Sequence, residues 1–221
     1  MVLASAPPRG PRFDEPVTEA DLLVAPAGQV RFLAVPERRY LMVDGRGAPG
    51  DASFQVAIGA IYPVAYTLHF ALRRRGQETR IGVLEGLYWF GRAERPIGPQ
   101  GFDLKASPDW HWRLLLPVPS EAGPEEIRAA IDEVARKKHP EGLARLRVEA
   151  WREGRVAQTI HVGPYSTEAG TIVELHRAIE AAGLRARGCH HEIYLGDPNR
   201  TAPERLRTII RQPVEVNPIA G

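Results

Sequence analysis

A chain of 221 residues with 43% hydrophobic content can bury a sizeable core, enough for one large domain or two small ones. Its 29 basic and 27 acidic residues leave a formal charge of +2, and no basic run exceeds Arg73-Arg74-Arg75, which argues against direct nucleic-acid binding. The single Cys189 excludes an internal disulfide framework and fits a reducing compartment, and no apolar run approaches the ~18 residues of a membrane span, so a soluble cytoplasmic protein without membrane attachment is expected.

The start, "MVLASAPPRGPRFDEP", lacks the uninterrupted apolar core of a signal peptide, and its Pro, Gly and Arg content reads as a mobile tail, drawn to residue 28. "QVRFLAVPERRYLMVDGRG" (29–47) gives two β-type runs, with Gly45 and Gly47 supplying a turn. Between Ser53 and Arg75, Phe54, Ile58, Ile61, Ala65, Leu68 and Leu72 recur at three- and four-residue steps, which predicts a helix that Pro63 should kink or divide. "TRIGVLEGLYWF" (79–90) and "WHWRLLLPVP" (110–119) read as strands separated by a Gly/Pro-rich loop.

From Pro124, "PEEIRAAIDEVARKK" has proline at its start, acids in its first turn and lysines in its last, the marks of a helix. "ARLRVEAW" and "REGRVAQTIHVGPY" read as a hairpin, and 168–182 as a helix stopped by Gly183. In "HVGPY", Gly163 and Pro164 are turn formers that place this helix, with Tyr165 packing across the module. "ARGCHHEIYL" follows as a strand, Thr201 with Glu204 makes a capping box for a short helix, and "RLRTIIRQPV" closes the chain as a strand or a helix-to-strand passage.

The two halves repeat weakly. "YLMVDGRGAP", helix, "RIGVLEGLYW" corresponds in order to "AQTIHVGPYS", helix, "RGCHHEIYLG", which sets Glu85 against Glu192. A glutamate in a β-type segment is notable, because a buried one must find a partner or keep its proton. The neighbouring His190 and His191 suggest a metal site at first sight. Strand alternation instead puts His190 and Glu192 on one side and His191 on the other, so the three cannot chelate one ion, and no metal or cofactor is expected.

The same counting puts Trp89 with Glu85, Tyr194 with Glu192, and Trp110 with Trp112, so that one face would offer a carboxylate, an indole and a phenol to a flat ligand. Tyr62, Tyr66 and His69 flank the apolar stripe of the first long helix, where Tyr66 could reach a cleft edge or sit as an ordinary tyrosine. Purely structural roles are the alternative at each position: Glu85 pairing with Arg80 or Arg113, the tryptophans as core, and the histidines as hydrogen-bonding strand residues.

The segments "VAYTLHF", "LEGLYW", "WHWRLLL", "HVGPY" and "HHEIYLGDPNRTAPERLRTIIRQPV", in this order from about residue 30 to the end, resemble the GyrI-like small-molecule-binding domain family in its stand-alone form. The resemblance implies an α+β fold of two strand-helix-strand-strand modules about a pseudo-twofold axis, with an antiparallel sheet, helices on one side and a central cleft. Behind the 1–28 tail, residues 29–138 would form the first module and 139–221 the second.

Relatives fused to DNA-binding domains use such a cleft, with a strand glutamate at its centre, to sense lipophilic and often cationic drugs. Among stand-alone relatives, some are similar to hydrolases that open the cyclopropane of DNA-alkylating antibiotics, and others bind drugs or protect DNA gyrase. For this chain the resemblance implies a binder of small planar lipophilic or cationic molecules, leaning to a cyclopropyl hydrolase. Glu192 would be general base and Tyr66 the donor or the group that positions water, with Glu85, Trp89, Trp110, Tyr62, His190 and Tyr194 as ligand contacts. The alternatives are a non-catalytic drug-sequestering or sensing protein and a gyrase-protecting partner protein.

Overall fold

The structure, a computed structural model, describes residues 11–91, 93–98 and 110–218. Its elements in chain order are α1 (Glu19–Leu22), β1 (Arg31–Arg46), α2 (Ala52–Arg74), β2 (Glu85–Phe90), β3 (Trp110–Pro117), α3 (Pro124–Lys138), β4 (Arg147–Val162), α4 (Ala169–Ala181), β5 (Leu184–Ala186), β6 (His190–Tyr194) and β7 (Arg207–Val216). The strands run β4-β1-β3-β2-β6-β7-β5, every ladder is antiparallel, and β4 also pairs with β7, so six strands close into a barrel with β5 added beside β7.

Two long strands make that closure. β1 pairs along its first part with β4 and along its end with β3, and β4 passes from β1 to β7. The expected hairpin between residues 144 and 165 is therefore one strand. Gly154 takes the left-handed conformation (φ 79°) without reversing the chain, because β1 supplies ladder partners on both sides of it, from Arg147 to Gln158. Likewise 29–47 is one strand and not two runs. Gly45 lies in the ladder opposite Trp112, and a Cβ there would stand 2.1 Å from the indole, so this glycine makes room for a ring while Gly47 (φ 100°) makes the turn.

Asp51 caps α2, its carboxylate accepting the Phe54 N–H at 2.9 Å. The helix runs unbroken through Pro63, where a kink or division was expected. By length and composition it could cross a membrane, a property that a search for strictly apolar runs passes over; a third of that stretch is buried here. Ile61, Val64 and Leu68 pack on Leu41, Leu114 and Trp112 of the sheet. α3 occupies the bounds expected for it, and α4 ends at Gly183 (φ 72°) after seating Ile172, Leu175 and Ile179 on Ala157 and Ile210. The expected 201–204 capping box is absent: a short 3₁₀ turn, Pro203–Arg205, begins after Ala202.

The mobile tail drawn to residue 28 also needs correction. Residues 1–10 lie outside the described residues, but Thr18 and Asp21 form a capping box that opens α1, and Leu22 is buried with Leu33, Val35 and Val156. Arg211 donates to the Leu22 carbonyl at 2.8 Å, Gln158 donates to the Val24 carbonyl at 3.1 Å, and Ala27 bridges Ile160. Four helical residues carry too short a period to read from sequence, and their anchors come from β4 and β7.

Register decides what faces the helices. Leu114 pairs with Val43 and Gly86, and Gly86 pairs with Glu192, so Glu192 shares the outer side of the barrel with the α2 and α4 contacts. Glu85 pairs with Leu115 and Ile193 and points into the barrel.

Candidate functional site

The two glutamates expected to meet in one cleft lie on opposite sides of the sheet. Aligning "VLEGLYW" with "HHEIYLG" by their glutamates is out of step with the actual pairing by one residue, and one residue along a strand exchanges the faces.

Inside the barrel, the His191 imidazole is held between two carboxylates, 2.8 Å from Glu153 and 3.1 Å from Glu85. Arg211 donates to Glu153 at 3.1 Å and to Gln158 at 2.8 Å, and Arg38 stands 3.6 Å from Glu85. Burial works to raise the Glu153 pKa, but the charges of His191 and Arg211 outweigh it and hold the carboxyl below its ordinary value. Burial works to lower His191, and Glu153 followed by Glu85 lifts it above the ordinary histidine value. Glu85 is thus a structural ion partner, of Arg38 and not of the expected Arg80 or Arg113. Trp89 is buried on the same interior side beside Leu87 and Leu115, stacked on His111 at 5.5 Å. Neither residue reaches the side that carries Glu192. Among the described residues no group of three His, Cys, Asp or Glu side chains is disposed to hold a metal ion.

The outer side has a different chemistry. Tyr194 donates to one Glu192 oxygen at 2.8 Å, and the His190 ring lies 3.2 Å from the other. The Tyr88 and Tyr194 hydroxyls hydrogen-bond to each other, so a phenol chain runs from Glu192 across to β2. Gly86 permits this arrangement, since a Cβ there would stand 2.7 Å from the Tyr88 hydroxyl. Behind Tyr88, the fully buried Trp110 meets it edge-on at 6.2 Å, as a wall under the phenol.

The segment before α4 completes the site. Its 3₁₀ turn brings the Tyr165 ring edge-on to Tyr194 at 5.7 Å. One step on, Glu168 occupies the α4 N-cap with 2% of its surface exposed, and neither carboxylate oxygen has a hydrogen-bond partner. Burial first, and the Glu192 charge second, push the Glu168 pKa up to about 9, with Thr208 acting the other way. Tyr165 is pushed up to about 12 by burial, then by Glu192, Glu168 and Asp197. Tyr88 and Tyr194 are raised well above the ordinary phenol value, by burial first and by Glu192 next. His176 of α4 is lowered by burial and then by His190.

On α2, Tyr62 is half-buried and its pKa is raised by burial, then by Tyr66 and Asp197. The rings of Tyr62, Tyr66 and Phe70 follow one another at 6.2 and 6.4 Å, and Tyr66 and Phe70 are about half exposed. The phenol that touches Glu192 is Tyr194, whereas Tyr66 lies in this outer ladder. Sequence reasoning brought His190, Glu192 and Tyr194 together but missed Tyr88, Tyr165 and Glu168. Tyr88 falls out when residues are counted by twos from Glu85. Glu168 falls at the start of the predicted 168–182 helix, where an acidic residue reads as an ordinary helix-start feature and not as part of a site.

Residues 117–215 match the GyrI-like small molecule binding domain. An uncharacterised conserved protein from Listeria innocua is 34% identical, with 89% of this chain and 97% of that one covered and a TM-score of 0.76. A hydrolase from Listeria innocua is 35% identical over the same shares of the two chains, with a TM-score of 0.73. The C-terminal domain of EcmrR, 14% identical, covers 86% of this chain and 98% of its own with a TM-score of 0.52, a likeness of fold. No curated protein matches.

Proposed function

This chain belongs to the GyrI-like small-molecule-binding domain family, and from that premise we propose that its ligand cleft is the outer surface of β2 and β6 between α2 and the start of α4. The runs β1–α2–β2–β3 and β4–α4–β6–β7 would be the two halves of a duplication, with the cleft at the β2–β6 seam. The observation that carries the reading is the buried Glu192 carboxylate, wired to Tyr194 and Tyr88 on a side where aromatic rings gather. A flat lipophilic molecule would lie against Tyr165 and Tyr194, and the ladder of Tyr62, Tyr66 and Phe70 would extend the stacking surface at the rim. Tyr66 stacks in this reading rather than donating a proton, since half of it faces solvent.

The reaction we infer is addition of water to a strained cyclopropane conjugated to a carbonyl group. Glu192 removes a proton from water as it attacks the ring carbon, and the cleft holds the planar substrate in line for that attack. The Listeria innocua relative named as a hydrolase supports this reaction class. Incubation with a cyclopropane-containing DNA-alkylating compound should give a product heavier by one water, formed faster than in buffer and abolished by Glu192→Gln. An unchanged mass would remove the hydrolase reading.

A second reading, capture of lipophilic cations without chemistry, has its own support. Among the described residues neither Glu168 nor Glu192 is paired with Lys or Arg, so the cleft has negative charge to offer. Under that reading Glu192→Gln weakens cationic ligands, spares neutral ones, and saturable quenching of tryptophan fluorescence accompanies an unchanged mass.

A further inference from the structure

Glu192 and Glu168 are both buried in the cleft but differ in how they are held. Each oxygen of Glu192 already has a protein partner, Tyr194 on one and His190 on the other. Glu168 has none on either oxygen, though it is 2% exposed. Tyr165, three residues before Glu168, packs on Tyr194, the donor to Glu192, so the two carboxyls belong to one buried cluster in which the Thr208 hydroxyl is the donor nearest Glu168. A buried carboxylate so poorly supplied is among the most costly groups a fold can keep unless it holds its proton. Thr208, the one β7 residue paired with both Tyr194 and His161, puts a buried hydroxyl on the same side.

We propose that Glu168 and Glu192 form a pair holding a single proton, and that Glu168 carries it and delivers it to the substrate oxygen on which negative charge develops. The inference rests on the hydrolase reading for its second half only. The balance closes without any co-reactant. Water forms the new C–O bond and its proton passes to Glu192, while one ring C–C bond breaks. The electron pair of that bond moves through the conjugated system to the carbonyl oxygen, which takes the proton from Glu168. The pair then holds its one proton on Glu192, and transfer across to Glu168 restores the starting state. Two carboxyl groups with environments that drive their proton affinities apart are a recurring acid–base arrangement.

Among the described residues no Lys or Arg pairs with either carboxyl. β2 contributes Tyr88, β6 contributes Tyr194 and His190, the 3₁₀ turn contributes Tyr165, α4 contributes His176, the loop after β6 contributes Asp197, and β4 contributes His161, which bonds to Thr167 and Thr171. The elevated proton affinity of Glu168 agrees with the geometry.

The test is a carboxyl ¹³C NMR titration of the Glu-labelled protein, with turnover of a cyclopropane-containing compound measured on the same samples. In the wild type one buried carboxyl should titrate far above the ordinary carboxylate range. Glu168→Gln should remove that signal, and Glu192→Gln should shift it down toward the ordinary range, which reads the coupling of the two carboxyls directly. Glu168→Gln should also lower turnover by about 10²–10⁴-fold and abolish the alkaline limb of its pH profile, with binding of the intact compound retained. Absence of a high-titrating carboxyl in the wild type would overturn the shared proton, whatever the turnover. Full turnover in Glu168→Gln would overturn its delivery to substrate. A wild type that shows the titration but never adds water would sink the hydrolase reading and the delivery step with it, while establishing the pair.

Discussion

One strand, β6, carries acid–base residues to both sides of the sheet, and the two sides treat them in opposite ways. Inside the barrel, Glu85 and Glu153 meet His191, Arg38 and Arg211, so that charge is matched by charge. On the outer side, Glu168 and Glu192 meet phenols, histidines and the Thr208 hydroxyl, and no Lys or Arg pairs with either among the described residues. Burial alone therefore does not mark a functional carboxylate. What separates the two regions is whether guanidinium groups stand among the partners, as Arg38 and Arg211 do inside the barrel.

Breaking the inner network should have the largest effect. Glu153→Ala leaves Arg211 without its carboxylate and His191 with Glu85 alone, and should cost about 3–5 kcal/mol in urea unfolding. Glu168→Gln, the matching change outside, should cost nothing or stabilise. Gly86→Ala tests the packing beneath the Tyr88 and Tyr194 phenols. Its Cβ would displace the Tyr88 hydroxyl, with an expected loss of about 1–3 kcal/mol and altered near-UV circular dichroism from the tyrosines.

Titration sharpens the comparison further, because the inner network sets a depressed carboxyl against a raised histidine, whereas the outer side carries a raised carboxyl. Glu153, depressed in the fold, contributes stability that is present above its unfolded value and lost as pH falls through the lowered one. His191, raised in the fold, contributes stability that is full below its unfolded value and lost as pH rises through the raised one. Glu168 runs against Glu153 and in the same direction as His191: the folded state holds a proton that the unfolded chain releases, so stability declines between about 4.5 and about 9 and is level above. Thermal melts of Glu168→Gln against wild type should show a gap that widens across that window and then stays constant. The smallest effect is expected at the rim, where Tyr66→Ala should change stability by less than about 0.5 kcal/mol and register only in ligand binding.

Local signals carried well from sequence to structure. α3 kept its bounds because Pro124, the acids after it and the closing lysines all act within one helix, and His190 and His191 parted as strand alternation demands. Signals that needed a distant partner did not carry. Gly154 looks like a turn until β1 is known to run beside it, and the parity of Glu85 against Glu192 depends on the β2–β6 register, which no local pattern fixes. The cluster around Glu192 shows the same division. His190, Glu192 and Tyr194 lie on one strand and could be grouped by counting, whereas Tyr88, Tyr165 and Glu168 arrive from other elements.

The docking of Leu22 against Arg211 joins residues 189 positions apart, and β7 is also the strand that closes the barrel against β4. During synthesis the first strand leaves the ribosome with its partner on the far side still unmade, so the ring stays open until nearly the whole chain exists. A nascent chain lacking residues 207–216 would expose the edges of β4 and β6, with Glu153 still waiting for its guanidinium. Such an order of events makes folding slow and dependent on the last segment, and it makes truncation near the C-terminus a route to aggregation.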